Sequence, residues 1–269
     1  MEIVLADAPM TVRQVYYQAV SRALCDKTEA AYDAVGRALL VARRDERLPY
    51  WTIADSTRWM RKPATYNNLD AALLECAKTY RRALWNEQDA YVEVWLEKDA
   101  LSGVLVPVTE KYDVPLMTVR GYASESFLAS AAEVIAAVGK PTYLYYFGDH
   151  DPSGVDIPVV VERRLRAMAP GAEIHFERVA VTPQQIESMQ LPTRPTKKTD
   201  SRSRNFIGES VEVDAIPPTD LRELVEACIK QHLDPEVYRK TLIVEAAERA
   251  TATLITDTLK SQRVMAVRA

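Results

Sequence analysis

An α/β fold with a mostly parallel sheet, preceded by a helical N-terminal domain and followed by a helical tail, is predicted by three observations. Short apolar strand patterns alternate with amphipathic helix patterns between residues 91 and 181. Two capped amphipathic helices and one alternating stretch precede them, and the chain beyond residue 217 has helical periodicity. With 48% apolar and 27% charged residues among 269, each part can bury a core.

Taking the elements in order, Thr11 is a good N-cap for a helix carrying Val12, Val15, Tyr16, Ala19, Val20, Ala23 and Leu24 as one stripe. After a polar break at Asp26 and Lys27, Thr28 caps a second helix with Tyr32, Val35, Leu39 and Ala42 inward, so the two should pack as a tight pair. In YWTIAD, residues 50–55, Trp51 and Ile53 alternate with polar neighbours as in a half-buried strand. Helix, turn, helix, strand is the order of a winged helix. A further helix is expected from Asn68 to Trp85, and the polar segment NEQDA is the expected boundary between a domain of residues 1–88 and one of 89–269.

In the second domain YVEVWL, PLMTV, TYLYYFG and AEIHFERVAV read as strands. LSGVLVPVTEKY, SESFLASAAEVIAAV and SGVDIPVVVERRLRAM read as the helices between them. Connections of this length make right-handed crossovers between parallel strands. LPTRPTKKTDSRSRNFIGES, residues 191–210, breaks the rhythm and reads as an exposed loop. Leu221, Leu224, Val225 and Cys228 then form a helical stripe, and residues 237–259 form a long helical region.

Net charge is −4, which speaks against indiscriminate nucleic-acid binding, yet the basic residues cluster. Between Arg194 and Asn205 the five basic residues Arg194, Lys197, Lys198, Arg202 and Arg204 stand against the single acid Asp200, and TRWMRK contributes Arg58, Arg61 and Lys62. Such groups contact phosphates along DNA, or form a solvated surface. Cys25, Cys76 and Cys228 are too scattered for a disulfide framework or a thiolate zinc site and read as buried or half-buried; His150, His175 and His232 are equally dispersed. No apolar run spans a bilayer and MEIVLADAPM lacks a secretory signal, so a cytoplasmic protein is expected, nucleoid-associated where its basic clusters bind DNA.

Acids stand where ligands bind parallel sheets, at the carboxyl ends of strands: Glu97 after YVEVWL, and Asp149 and Asp151 in GDHDPSGVDI. Two residues apart in extended chain, about 6–7 Å, puts both aspartates on one side, with His150 turned away. Three carboxylates without nearby thiols suit Mg²⁺, with Mn²⁺ as a substitute, and phosphate chemistry. Gly154 permits a tight turn into the next helix, and Asp156 is a helix-dipole acid or an outer partner of the metal.

VWLEKDAL and YYFGDHDPSGVDI together resemble the TOPRIM domain, whose strand-end Glu and later DxD bind magnesium. TVRQVYYQAV before them is similar to the R-x-x-[FY]-Y segment that opens the winged-helix domain of the topoisomerase VI A subunit and of the meiotic double-strand-break transesterase. The resemblance implies that Tyr17 attacks a DNA phosphodiester and becomes linked to a 5′-phosphate, that Arg13 assists it, and that Glu97, Asp149 and Asp151 hold Mg²⁺. It also implies a homodimer in which the tyrosine of one subunit meets the metal site of the other. An ATPase B-type subunit would be a second chain, because no P-loop is present here.

Helical geometry agrees in part. Tyr16 falls on the apolar stripe, while Tyr17 lies about 100° around the helix, one turn from Arg13, on a face expected to be accessible. Two other readings stay open: a TOPRIM nuclease that hydrolyses nucleic acid with its carboxylates alone, and a non-catalytic DNA-binding subunit.

Overall fold

A computed structural model describes residues 1–55, 62–195, 206 and 208–268. The chain begins with α1 (Glu2–Asp7), α2 (Val12–Ser21) and α3 (Glu29–Arg44). Both expected caps are present: Thr11 and Gln14 form a reciprocal capping box on α2, and the Thr28 hydroxyl accepts from Ala31 N on α3. Replacing Thr11 by Ala should therefore lower the unfolding free energy by about 1 kcal/mol in a denaturant titration. Val4, Met10, Val15, Leu39, Leu48 and Ile53 are buried in one small core among these helices.

The strand expected at YWTIAD does not form. Residues Tyr50–Thr52 make a 3₁₀ turn, closed by the Thr52 hydroxyl on the Pro49 carbonyl (2.7 Å), and this turn leaves Tyr50 and Trp51 exposed. Only Ile53 pairs, through a parallel bridge to Met10.

Next come α4 (Leu69–Thr79), β1 (Tyr91–Leu96), α5 (Ser102–Lys111), β2 (Leu116–Thr118), α6 (Glu125–Val138), β3 (Thr142–Phe147), α7 (Pro152–Met168), β4 (Ile174–Ala180), α8 (Pro183–Ser188), α9 (Pro218–Lys230) and α10 (Pro235–Arg268). The four strands form a parallel sheet in the order β2-β1-β3-β4. One face carries Trp95, Leu144 and Tyr146 into a core with α6 and α7, and α5 packs with α9. Because the chain steps from β1 to β2 on one side and then returns to β3 on the other, the order reverses between β1 and β3. That reversal opens a crevice at their carboxyl ends.

Two compact units are present, Met1–Arg58 with Asp89–His232, and Trp59–Gln88 with Leu233–Ala269. In the second, α4 stops at Thr79, short of the Trp85 expected. Groups on α10 bind the chain where it leaves the helix. Glu245 accepts from Arg82 N (2.9 Å), Glu248 accepts from the Tyr80 hydroxyl (2.7 Å), and Arg249 Nε donates to the Tyr80 carbonyl (2.7 Å). Cys228 is buried and Cys25 half-buried as expected, but Cys76 on α4 is exposed. No helix among the described residues is long and apolar enough to cross a membrane.

Candidate active site

The crevice between β1 and β3 is occupied by charge. Glu97 follows β1, and its Oε2 accepts from Asp149 N (3.0 Å) and from the Tyr146 hydroxyl (3.4 Å), so the carboxylate leans across the end of β3. Gly148 makes this possible, since a Cβ there would stand 2.4 Å from Glu97 Oε2 and 2.6 Å from the Tyr146 ring. Asp149 is buried; its Oδ1 accepts from Val213 N (2.9 Å) and its carbonyl from Arg178 Nη2 (2.7 Å). Burial, then the charge of Asp149, with Asp151 adding to it, push the Glu97 carboxyl up to about 7.

Asp151 has a different duty. Its Oδ1 caps α7 by accepting from Gly154 N (2.8 Å), and its Oδ2 lies 4.0 Å from Arg194 Nη2. The structure thus joins Glu97 directly to Asp149 and commits Asp151 to the helix start. Among the described residues, no three His, Cys, Asp or Glu side chains converge as a set able to hold a metal ion. His150 pairs through its backbone with Val211 and packs its ring against Phe206, 5.0 Å between centroids. Asp156 accepts from the Tyr122 hydroxyl (2.5 Å). Gly154 serves close approach rather than a turn: it lies within α7, where a Cβ would meet the Asp149 carbonyl oxygen at 2.1 Å.

Lys98 is the cation at this crevice. Its Nζ contacts Asp214 Oδ2 (2.7 Å), Glu212 Oε2 (3.0 Å) and Asp149 Oδ1 (3.1 Å). Burial alone would lower its pKa, but the charges of Asp214, Asp149 and Glu212 outweigh that and hold it protonated. Glu212, 5% exposed, also receives Arg13 Nη1 (2.6 Å) and Arg194 Nη1 (2.8 Å). One ion-pair network therefore runs from Arg13 on α2 through Glu212 and Lys98 to Asp149 at the end of β3.

Tyr16 is buried as expected and donates to the Thr28 carbonyl (3.2 Å). Tyr17 departs from expectation, being only 4% exposed. The reason is tertiary, for α2 is buried continuously from Gln14 to Ala19, whereas a helical wheel marks only its own apolar side. Lys27 Nζ stands 5.4 Å from the centre of the Tyr17 ring and donates to the carbonyls of Pro192 (2.8 Å) and Thr193 (2.6 Å). Burial, then the charge of Glu212, raise the Tyr17 pKa against the opposing pull of Lys98, Arg13 and Arg194. What remains open of Tyr17 lines a cavity of about 530 Å³ with Arg13, Lys27 and Arg194. A second cavity, about 670 Å³, is lined by Arg13, Glu97, Lys98, Arg120 and Asp214.

Of the basic loop, Arg194 is described; its backbone pairs with Ser210 (2.8 and 2.9 Å) and closes the loop base. Lys62 is exposed. Arg58, Arg61, Lys197, Lys198, Arg202 and Arg204 lie outside the described residues. Sequence reasoning passed over Lys98, Glu212, Asp214, Arg178 and Lys27. One signal was available for two of them: Glu212 and Asp214 are an alternating acidic pair inside the apolar run VEVDAI, whose Val211, Val213, Ala215 and Ile216 are buried. No protein-family model matches the chain, and comparison with curated proteins finds no match.

Proposed function

We propose that the chain cleaves DNA by magnesium-dependent transesterification, with Tyr17 as the nucleophile. The domain reading that goes with it is a winged helix bearing the tyrosine, followed by a TOPRIM domain bearing the acids. The observation that carries the proposal is the network joining Arg13 on the tyrosine helix to Asp149 at the topological switch point, through Glu212 and Lys98. It links the two segments by which the sequence resembles the topoisomerase VI A subunit.

Glu97 and Asp149 offer the oxygen ligands that a hard divalent cation takes, in a place where burial and then the charge of Asp149 raise the Glu97 pKa and Asp151 adds its charge. Mg²⁺ bound there would neutralise charge on the phosphodiester and the departing oxygen. In the reaction the Tyr17 oxygen bonds to phosphorus and the bond from phosphorus to the 3′ oxygen breaks. A 5′-phosphotyrosyl link results, and the phenolic proton ends on the 3′ hydroxyl. Arg13 holds the phosphate beside the ring, and Arg194 and Lys27 add positive potential in the same cavity.

The test is end-labelled duplex DNA with Mg²⁺ or Mn²⁺, quenched in detergent. Label should move onto wild-type protein and be absent with Tyr17→Phe and with Asp149→Ala. Mixing the two variants separates the arrangements, since restored labelling requires a homodimer in which tyrosine and acids come from different subunits. The burial of Tyr17 favours a second reading, hydrolysis by the acid site alone. Cleavage that persists in Tyr17→Phe and stops in Asp149→Ala would establish it.

A further inference from the structure

We propose that Glu212 is a positioning residue of this site: a fixed carboxylate that holds Arg13, Arg194 and Lys98 from behind, so that the three cations keep set positions beside the two cavities for the phosphates of DNA. The inference rests on the DNA-cleavage reading above and assigns a role to a residue that neither motif contains.

Three facts carry it. The first is convergence, with Arg13 and Lys98 sharing Oε2 and Arg194 taking Oε1, so cations from three separate segments meet on one buried carboxylate. The second is rigidity. Val211 exchanges both backbone hydrogen bonds with His150 (2.8 and 2.9 Å), and Val213 N is bound to Asp149 Oδ1 (2.9 Å), so the residues on either side of Glu212 are anchored to the DxD segment. The third is placement. Arg13 and Lys98 line the larger cavity and Arg13 and Arg194 the smaller, and Tyr32 lines both, but Glu212 is in neither lining. The carboxylate stands behind the cations while they face the cavities.

A carboxylate so placed has two opposed effects. It fixes the donors that must meet a phosphate, which favours the reacting geometry. It also sets a negative charge behind them, which weakens attraction for a polyanion. Removing the charge while keeping the shape should therefore tighten binding and slow chemistry, a combination that a merely structural residue does not produce.

The experiment compares the full-length wild type with Glu212→Gln, Glu212→Asp and Arg194→Gln. It follows thermal unfolding, anisotropy of labelled duplex DNA across a salt series, and single-turnover formation of the protein–DNA adduct. Glu212→Gln should bind DNA more tightly, with a salt slope steeper by about one, and form adduct about 100-fold more slowly. Glu212→Asp should recover part of the rate. Arg194→Gln, at a more exposed position, should lessen the slope by about one. The proposal is overturned if Glu212→Gln binds with unchanged affinity and slope, or if binding, stability and rate fall together. Should Glu212→Gln not fold, the proposal is overturned if the Arg194→Gln slope is unchanged or if Glu212→Asp reacts at the wild-type rate. If the wild type forms no adduct, the cleavage reading fails by itself, and the salt series still decides the role of Glu212.

Discussion

Replacing Lys98 by methionine should lower the unfolding free energy by about 3–5 kcal/mol at pH 7, because it leaves buried carboxylates without their shared cation. Asp149, Glu212 and Asp214 all lie within 3.1 Å of the ammonium, and all three are buried. Arg13 and Arg194 still reach Glu212 in the variant, but Asp214 and Asp149 lose the cation between them. The deficit should depend on pH in a definite direction. Although burial raises the Glu212 pKa, the Lys98 charge and the Arg13 hydrogen bond hold it at about 2. A carboxyl depressed in this way adds stability that is present above its ordinary value, about 4.3, and is lost as pH falls toward the folded value. Lys98→Met gives up part of that contribution, so its deficit should be largest at neutral pH and shrink as pH falls from about 4.3 toward 2. Denaturant titrations at several pH values test this. A variant as stable as the wild type at pH 7, or a deficit that grows with acid, would refute the cluster's role.

Gly154→Ala should be nearly as severe, about 3 kcal/mol, and should disable the acid site even where the protein stays folded. The new Cβ would lie 2.1 Å from the Asp149 carbonyl oxygen and 2.9 Å from its carbon, and both are backbone atoms that no rotamer change can move aside. Either the first turn of α7 or the segment from Asp149 to Asp151 must shift, and each displaces a carboxylate. Gly171→Ala is the control, since nothing stands within 4 Å of its added Cβ, and it should stay within about 0.5 kcal/mol of wild type. Thermal unfolding and DNA cleavage on both variants check the pair. Equal behaviour of the two would show that the close approach at Gly154 does not matter.

The contrast between these glycines also shows where sequence reasoning stops. GDHDPSG announces a special backbone, and a turn was the expected use of Gly154, but the requirement is for space against the Asp149 carbonyl. YWTIAD is similar, for its alternation suits a strand, yet the hydroxyl of Thr52 and the preceding Pro49 close a turn instead. The helix from Asn68 was legible in its cap and stripe, but its end depended on Glu245, Glu248 and Arg249, more than 160 positions further along the chain.

By itself the sequence determined the α/β class, the four strands, the helices between them, the caps at Thr11 and Thr28, and the strand-end location of Glu97 and Asp149. These follow from periodicity and local hydrogen bonding, which act between near neighbours. Tertiary structure alone decided the strand order that puts β1 beside β3, the burial of Tyr17, and the meeting of Arg13, Lys98 and Arg194 on Glu212. Each of these depends on which distant segments come together, and on charges that interact through space once packing has removed the water between them.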